Sequence, residues 1–170
     1  MKIKTILLFT TILLLSRSNS DAQVYDGANN KVFNVGAELS NYNYVVFGGD
    51  IGLTDYLSWG VNLRLLLNPP DIKEPDFLKR LGGYLKMDYH AANALKLKKS
   101  DILIGYKVGL DISHGPQATY QYFFTDFFGL YGKASYYFNY PKDDEYYLIK
   151  KPDQFTYEFG FVYKNFGTIF

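Results

Sequence analysis

The stretch Phe155-Thr-Tyr-Glu-Phe-Gly-Phe-Val-Tyr163 sets an aromatic side chain at every second position. Thr156, Glu158, Gly160 and Val162 take the places between. Successive side chains of a strand point to opposite faces, so this run has one greasy face and one small or polar face. The same rhythm, with one or two charges per segment, recurs through most of the chain. It predicts sheet throughout, and helical punctuation is nearly absent.

Eight strands are expected, at 31–41, 44–53, 57–67, 79–90, 101–112, 117–125, 127–139 and 155–166. Most approach the roughly 9–11 residues that a tilted strand needs to cross a bilayer. In the third, Leu57, Trp59, Val61, Leu63, Leu65 and Leu67 oppose Ser58, Gly60, Asn62 and Arg64. In the fourth, Leu81, Leu85, Met87 and Tyr89 oppose Arg80, Tyr84, Lys86, Asp88 and His90. In the fifth, Ile102, Ile104, Tyr106, Val108, Leu110 and Ile112 oppose Asp101, Leu103, Gly105, Lys107, Gly109 and Asp111. A soluble antiparallel sheet with one wet face shares this alternation. Strand length, aromatic load and the amino-terminal segment favour a barrel in lipid. Tyr and Phe supply 31 of 170 residues, and Tyr is enriched where membranes meet water.

Met1-Lys2-Ile3-Lys4 is a short basic start, and an apolar run from Ile6 to Leu15 follows. Ser20-Asp21-Ala22 then places small residues three and one before Gln23. This is the layout of a secretory leader, residues 1–22, cut after Ala22. The run is too short to span a bilayer as a helix. Residues 23–170 remain, one domain by size. Removing Lys2, Lys4, Arg17 and Asp21 with the leader leaves 15 basic against 16 acidic residues, a charge of −1. Such balance gives no footprint for nucleic acid. With no Cys in the chain, disulfides, thiol chemistry and lipid attachment through an N-terminal cysteine are excluded.

The expected fold is therefore all-β: an eight-stranded antiparallel up-and-down transmembrane β-barrel. Hydrocarbon offers no partner to backbone N–H and C=O groups, so a sheet survives there only when closed on itself. Eight strands leave a narrow interior that side chains fill. Strand parity assigns Glu38, Asp50, Arg64, Lys86, Asp88, Lys107, Asp111, Lys133, Glu158 and Lys164 to that interior, five acids and five bases able to neutralise one another. Gly36, Gly48, Gly60, Gly82, Gly105, Gly109 and Gly160 share the inward parity and leave room for long neighbours. Tyr89, Tyr106, Tyr120, Tyr122, Tyr136, Tyr157, Phe159, Phe161 and Tyr163 take the outward one.

Leu53-Thr-Asp-Tyr-Leu-Ser-Trp59 and Phe124-Thr-Asp-Phe-Phe-Gly-Leu130 repeat one design, an apolar strand end, a tight Thr-Asp turn and an aromatic-rich strand. Asp at such a turn can bond its own backbone. The links at 68–78, 113–116 and 140–154 fall at the opposite end. Asp71, Glu74, Asp76, Asp143, Asp144 and Glu145 make that end acidic. The segment 91–100 is a long link in which Leu95-Lys-Leu-Lys-Lys99 could extend its flanking strands.

Phe123-Phe-Thr-Asp-Phe-Phe-Gly-Leu-Tyr131, the paired Leu53-Thr-Asp55 turn, the Ser20-Asp-Ala-Gln23 cut and the terminal Phe170 carry a resemblance. The chain resembles small outer-membrane β-barrel proteins of Bacteroidota type, in the OmpX/OmpA-transmembrane-like class. The resemblance implies an outer-membrane location, contact with outer-membrane lipids, and recognition by the barrel-assembly machinery. It implies that Phe170, with Phe166, is the assembly signal. The odd parity of Tyr157 to Tyr163 against the even parity of Phe166 and Phe170 predicts a bulge or a tail near 165–167.

No catalytic, cofactor or metal set is read from the sequence. His90 and His114 are the only histidines. Lipid-modifying barrels use Ser, His and Asp at the outer rim, and Ser113, His114 and Asp111 lie close in the chain, but Asp111 takes the inward parity. The expectation is a non-enzymatic monomer with a structural role or with loops that meet an external ligand. The alternative is a soluble lipocalin-like barrel holding an apolar ligand, with the two faces exchanged.

Overall fold

A computed structural model describes residues 25–40, 43–67, 77–110, 113–138 and 155–164. Eight strands form: β1 Lys31–Leu39, β2 Tyr44–Gly52, β3 Leu57–Leu66, β4 Leu81–His90, β5 Ser100–Gly109, β6 His114–Phe123, β7 Phe128–Tyr136 and β8 Phe155–Lys164. Each pairs antiparallel with its neighbours, and β8 returns to β1, so the sheet closes into a barrel. Closure leaves no strand edge unpaired.

Burial alternates along the strands, as a period of two requires, except at Gly83 beside Tyr84 in β4 and at the half-buried Val35, Gly36 and Ala37 in β1. In β3 the inward Ser58, Gly60, Asn62, Arg64 and Leu66 are buried, while Trp59, Val61 and Leu63 are exposed. In β8 Thr156, Glu158 and Val162 are buried while Tyr157, Phe159 and Phe161 face out.

Three details of the links differ from expectation. The segment 91–100 does not extend its strands. It forms a one-turn helix, α1 Ala92–Leu95, stopped by Lys96 in the left-handed region at φ 54. Strand β6 starts earlier than expected, at His114, and Pro116 lies within it in register with Tyr106. The two Thr-Asp turns are one structure used twice, closed by Leu53 N–H to Leu57 O and by Phe124 N–H to Phe128 O. Their side-chain bonds come from Thr rather than Asp: Thr54 Oγ1 accepts from Leu57 N–H at 3.1 Å, and Thr125 Oγ1 from Phe128 N–H at 3.0 Å.

Where β1 and β8 close the wall, Gly36 faces Gly160. A Cβ on Gly160 would run into the carbonyl of Val35, and one on Gly36 into that of Phe159. Gly160→Ala is therefore expected to lower stability by about 1–3 kcal/mol, since backbone must shift to admit it. A fall in the urea midpoint checks this; an unchanged midpoint contradicts the packing at the seam.

The leader and its cut, Asp111, the acidic loop residues, the parity break near 165–167, and Phe166 and Phe170 lie outside the described residues.

Candidate functional site

The nine described residues assigned to the interior all have buried side chains. The register brings most of them into three groups. Lys86 Nζ reaches Asp50 Oδ2 at 2.9 Å and Asp88 Oδ2 at 3.3 Å. Gln117 Nε2 donates to Asp88 Oδ1 at 2.6 Å. Lys133 Nζ meets Glu158 Oε2 at 2.7 Å, and the Glu158 carboxylate also accepts from Tyr131 at 2.6 Å and Tyr84 at 3.1 Å. Arg64 stands 3.6 Å from Glu38 and donates to Tyr137 at 3.4 Å.

Two bases are placed otherwise. Lys107 has no hydrogen-bond partner among the described residues. Its ammonium sits 3.9 Å from the Tyr137 ring centroid and 4.7 Å from that of Tyr84, where the negative ring faces take the place of a carboxylate. Lys164 pairs at 2.7 Å with Asp26, a residue that lies before β1 and outside any strand pattern. The interior also holds apolar clusters. Tyr44, Val46 and Leu66 form one, and Val32, Ala92, Phe123, Tyr131 and Val162, with Leu97 against them, form the other. Side chains fill the lumen, as expected of eight strands.

Residues 25–30 close the turn-lined end. Gly27 takes φ +70, where a side chain would be strained and would meet Asp55. Asn30 O accepts from Gly52 N–H at 2.8 Å. The Tyr25 hydroxyl lies 2.6 Å from Leu57 O and 2.9 Å from Thr54 O. The Tyr25 ring stacks on His90, centroids 3.7 Å apart. Beneath it runs a chain of three: Ser58 Oγ to His90 Nε2 at 2.7 Å, and His90 Nδ1 to Asp101 Oδ2 at 2.6 Å. Asp101 Oδ1 accepts from Ala92 N–H at 2.9 Å. Parity marks all three as inward, but only the register joins them: Ser58 faces Asp88, two residues before His90, and Leu103 faces His90, two residues after Asp101. The other histidine is placed differently. Ser113 is fully buried, while the next residue, His114, packs against Tyr106 and Phe138. Among the described residues no cluster of three or more His, Asp or Glu could hold a metal ion.

Burial, then the carboxylates of Asp101, Asp50 and Asp55, push the Tyr25 hydroxyl up to about 12. The fold thus favours protonated Tyr25. That contribution is complete below the ordinary tyrosine value of about 10 and is lost as pH rises through the folded value. An absorbance titration of Tyr25→Phe is expected to lack a component near 12 that the parent shows. A missing component at the ordinary value contradicts the placement.

These features define a class: a closed eight-stranded antiparallel barrel, ionised within and aromatic without. The chain belongs to the family of unknown function DUF6646, whose profile matches residues 15–165. No curated protein matches it.

Proposed function

We propose that this chain is an integral outer-membrane barrel that contributes to the envelope and presents its loop end to the exterior. The single observation that carries this reading is the sense of the wall. Outward side chains include Phe47, Trp59, Val61, Leu63, Leu85, Met87, Ile104, Tyr106, Val108, Tyr120, Tyr157, Phe159 and Phe161, all widely exposed. Water would meet a continuous apolar belt there, far beyond the few hundred Å² that soluble monomers ordinarily expose. Lipid tails would cover it, with Tyr and Trp suited to the boundary.

A lipocalin-like carrier needs an apolar cavity. Here Lys86, Lys107, Lys133, Asp50, Asp88 and Glu158 occupy the centre. The filled interior also argues against an open pore, and flat conductance in planar bilayers is the expected trace. The lipids of the outer membrane and, during biogenesis, the assembly machinery are the partners of this reading, with the C-terminal aromatics as its recognition signal.

Cell fractionation with boiled and unboiled gel migration tests the assignment. An integral barrel sediments with the outer membrane, needs detergent for extraction and migrates differently after boiling. Recovery in the soluble fraction without detergent overturns it.

A further inference from the structure

Ser58, His90 and Asp101 meet the geometric terms of an activated serine. Nucleophile, base and orienting carboxylate lie in line at 2.7 and 2.6 Å. That spacing is what general-base activation of a hydroxyl requires. Three adjacent strands hold the three side chains, and exposures of 1, 3 and 1% leave them little freedom. A carboxylate only accepts, so the uncharged imidazole carries its proton on Nδ1 toward Asp101. Nε2 is then bare and accepts the Ser58 hydroxyl. The Ala92 N–H bond to the second oxygen of Asp101 fixes the carboxylate, and through it the tautomer.

Among the described residues, the amino-terminal segment stands over this set. Tyr25 covers the His90 ring, held by its hydroxyl at the Leu57 carbonyl and by the Asp26–Lys164 pair beside it. None of these contacts is a strand-to-strand hydrogen bond, so Tyr25 and Asp26 can lift without breaking a strand ladder.

We propose that Ser58 is a nucleophile activated by His90 and oriented by Asp101, that Tyr25 is the gate above it, and that the site takes small electrophilic acyl or phosphonyl groups such as short-chain esters. With the ring displaced, Ser58 Oγ bonds to the ester carbonyl carbon while its proton passes to His90 Nε2. The ester C–O bond breaks, and the alcohol leaves with that proton. Water then attacks the acyl-serine, again giving its proton to His90, and the acid departs as Ser58 regains a proton. The neighbouring donors of Tyr56, Leu57 and Ala92 are engaged by Thr54 and Asp101. Neither tetrahedral step therefore has a free donor among these groups, and turnover of an ester is slow.

The test is covalent labelling of the purified folded chain with a biotinylated alkyl fluorophosphonate, which bonds its phosphorus to Ser58 Oγ and releases fluoride. Adducts are mapped by peptide mass spectrometry. Tyr25→Ala is expected to label at Ser58 about 10-fold faster than the parent, the stacking and hydrogen bond of the gate being lost. Adding His90→Gln is expected to slow that labelling about 100-fold. Asp26→Asn, which loosens the gate but keeps its ring, gives a second opened variant. Gel migration verifies that each variant is folded. Where neither opened variant folds, prolonged labelling of the parent, with and without His90→Gln, decides by the same readout. Absence of a Ser58 adduct in a folded opened variant, or one formed equally without His90, overturns the proposal; where the parent decides, so does its lack of a Ser58 adduct. The result does not depend on where the barrel resides, since labelling is scored on the folded barrel in detergent.

Discussion

Glu158→Gln is expected to cost about 3–5 kcal/mol, because it strips the counter-charge from a buried lysine rather than removing an ion pair. Glu158 holds Lys133 at 2.7 Å and receives hydroxyls from Tyr131 and Tyr84. Lys133 also donates to the Tyr84 oxygen at 2.8 Å. A glutamine keeps the shape but offers one oxygen where the carboxylate offered two. Its NH₂ facing the Tyr84–Lys133 pair meets the ammonium donor against donor, and facing Tyr131 it makes that hydroxyl accept where it had donated. The double variant Glu158→Gln, Lys133→Met removes the stranded charge and is expected to recover more than half of the loss. Urea unfolding followed by gel mobility measures both. A single variant with the parent's midpoint would mean that the central pair contributes nothing.

Ile104→Arg is the second large effect, and it acts on the other face. Ile104 lies midway along β5, between the outward Ile102 and Tyr106, and is 61% exposed. In lipid an arginine near the midplane of a barrel's outer face costs about 2–4 kcal/mol. In water the same change costs almost nothing and improves solubility. The folded fraction in phospholipid vesicles is expected to fall sharply, while a lumen-neutral control such as Ile104→Leu stays near the parent. Equal folding of the arginine variant in vesicles contradicts the membrane reading.

The existence and order of the strands were legible because alternation spans each one. Their ends were less so. Pro116 reads as a turn residue, yet the ladder to β5 runs through it. The Leu95-Lys-Leu-Lys run alternates like a strand, but Lys96 in the left-handed region turns the chain before a strand can form. Period two also marks which charges point inward, but says nothing about which meet. Lys107 rests against two tyrosine rings because of cross-strand register, and Lys164 finds Asp26 in a segment that has no period at all. Ser58 and His90 stand 32 residues apart in the chain, and their bond is invisible until β3 is laid beside β4. Thr54 and Thr125 were overshadowed by the aspartates beside them, although a threonine hydroxyl reaches the same backbone donors.

Trp59 offers the most direct measurement of the outward greasy wall. It is the only tryptophan in the chain, lies on the outer face of β3 and is 42% exposed. In vesicles of phospholipid brominated along the acyl chain, its fluorescence is expected to be blue-shifted, strongly quenched by the bromines, and insensitive to aqueous iodide. Emission quenched by iodide and indifferent to brominated lipid would place that face in water and end the account.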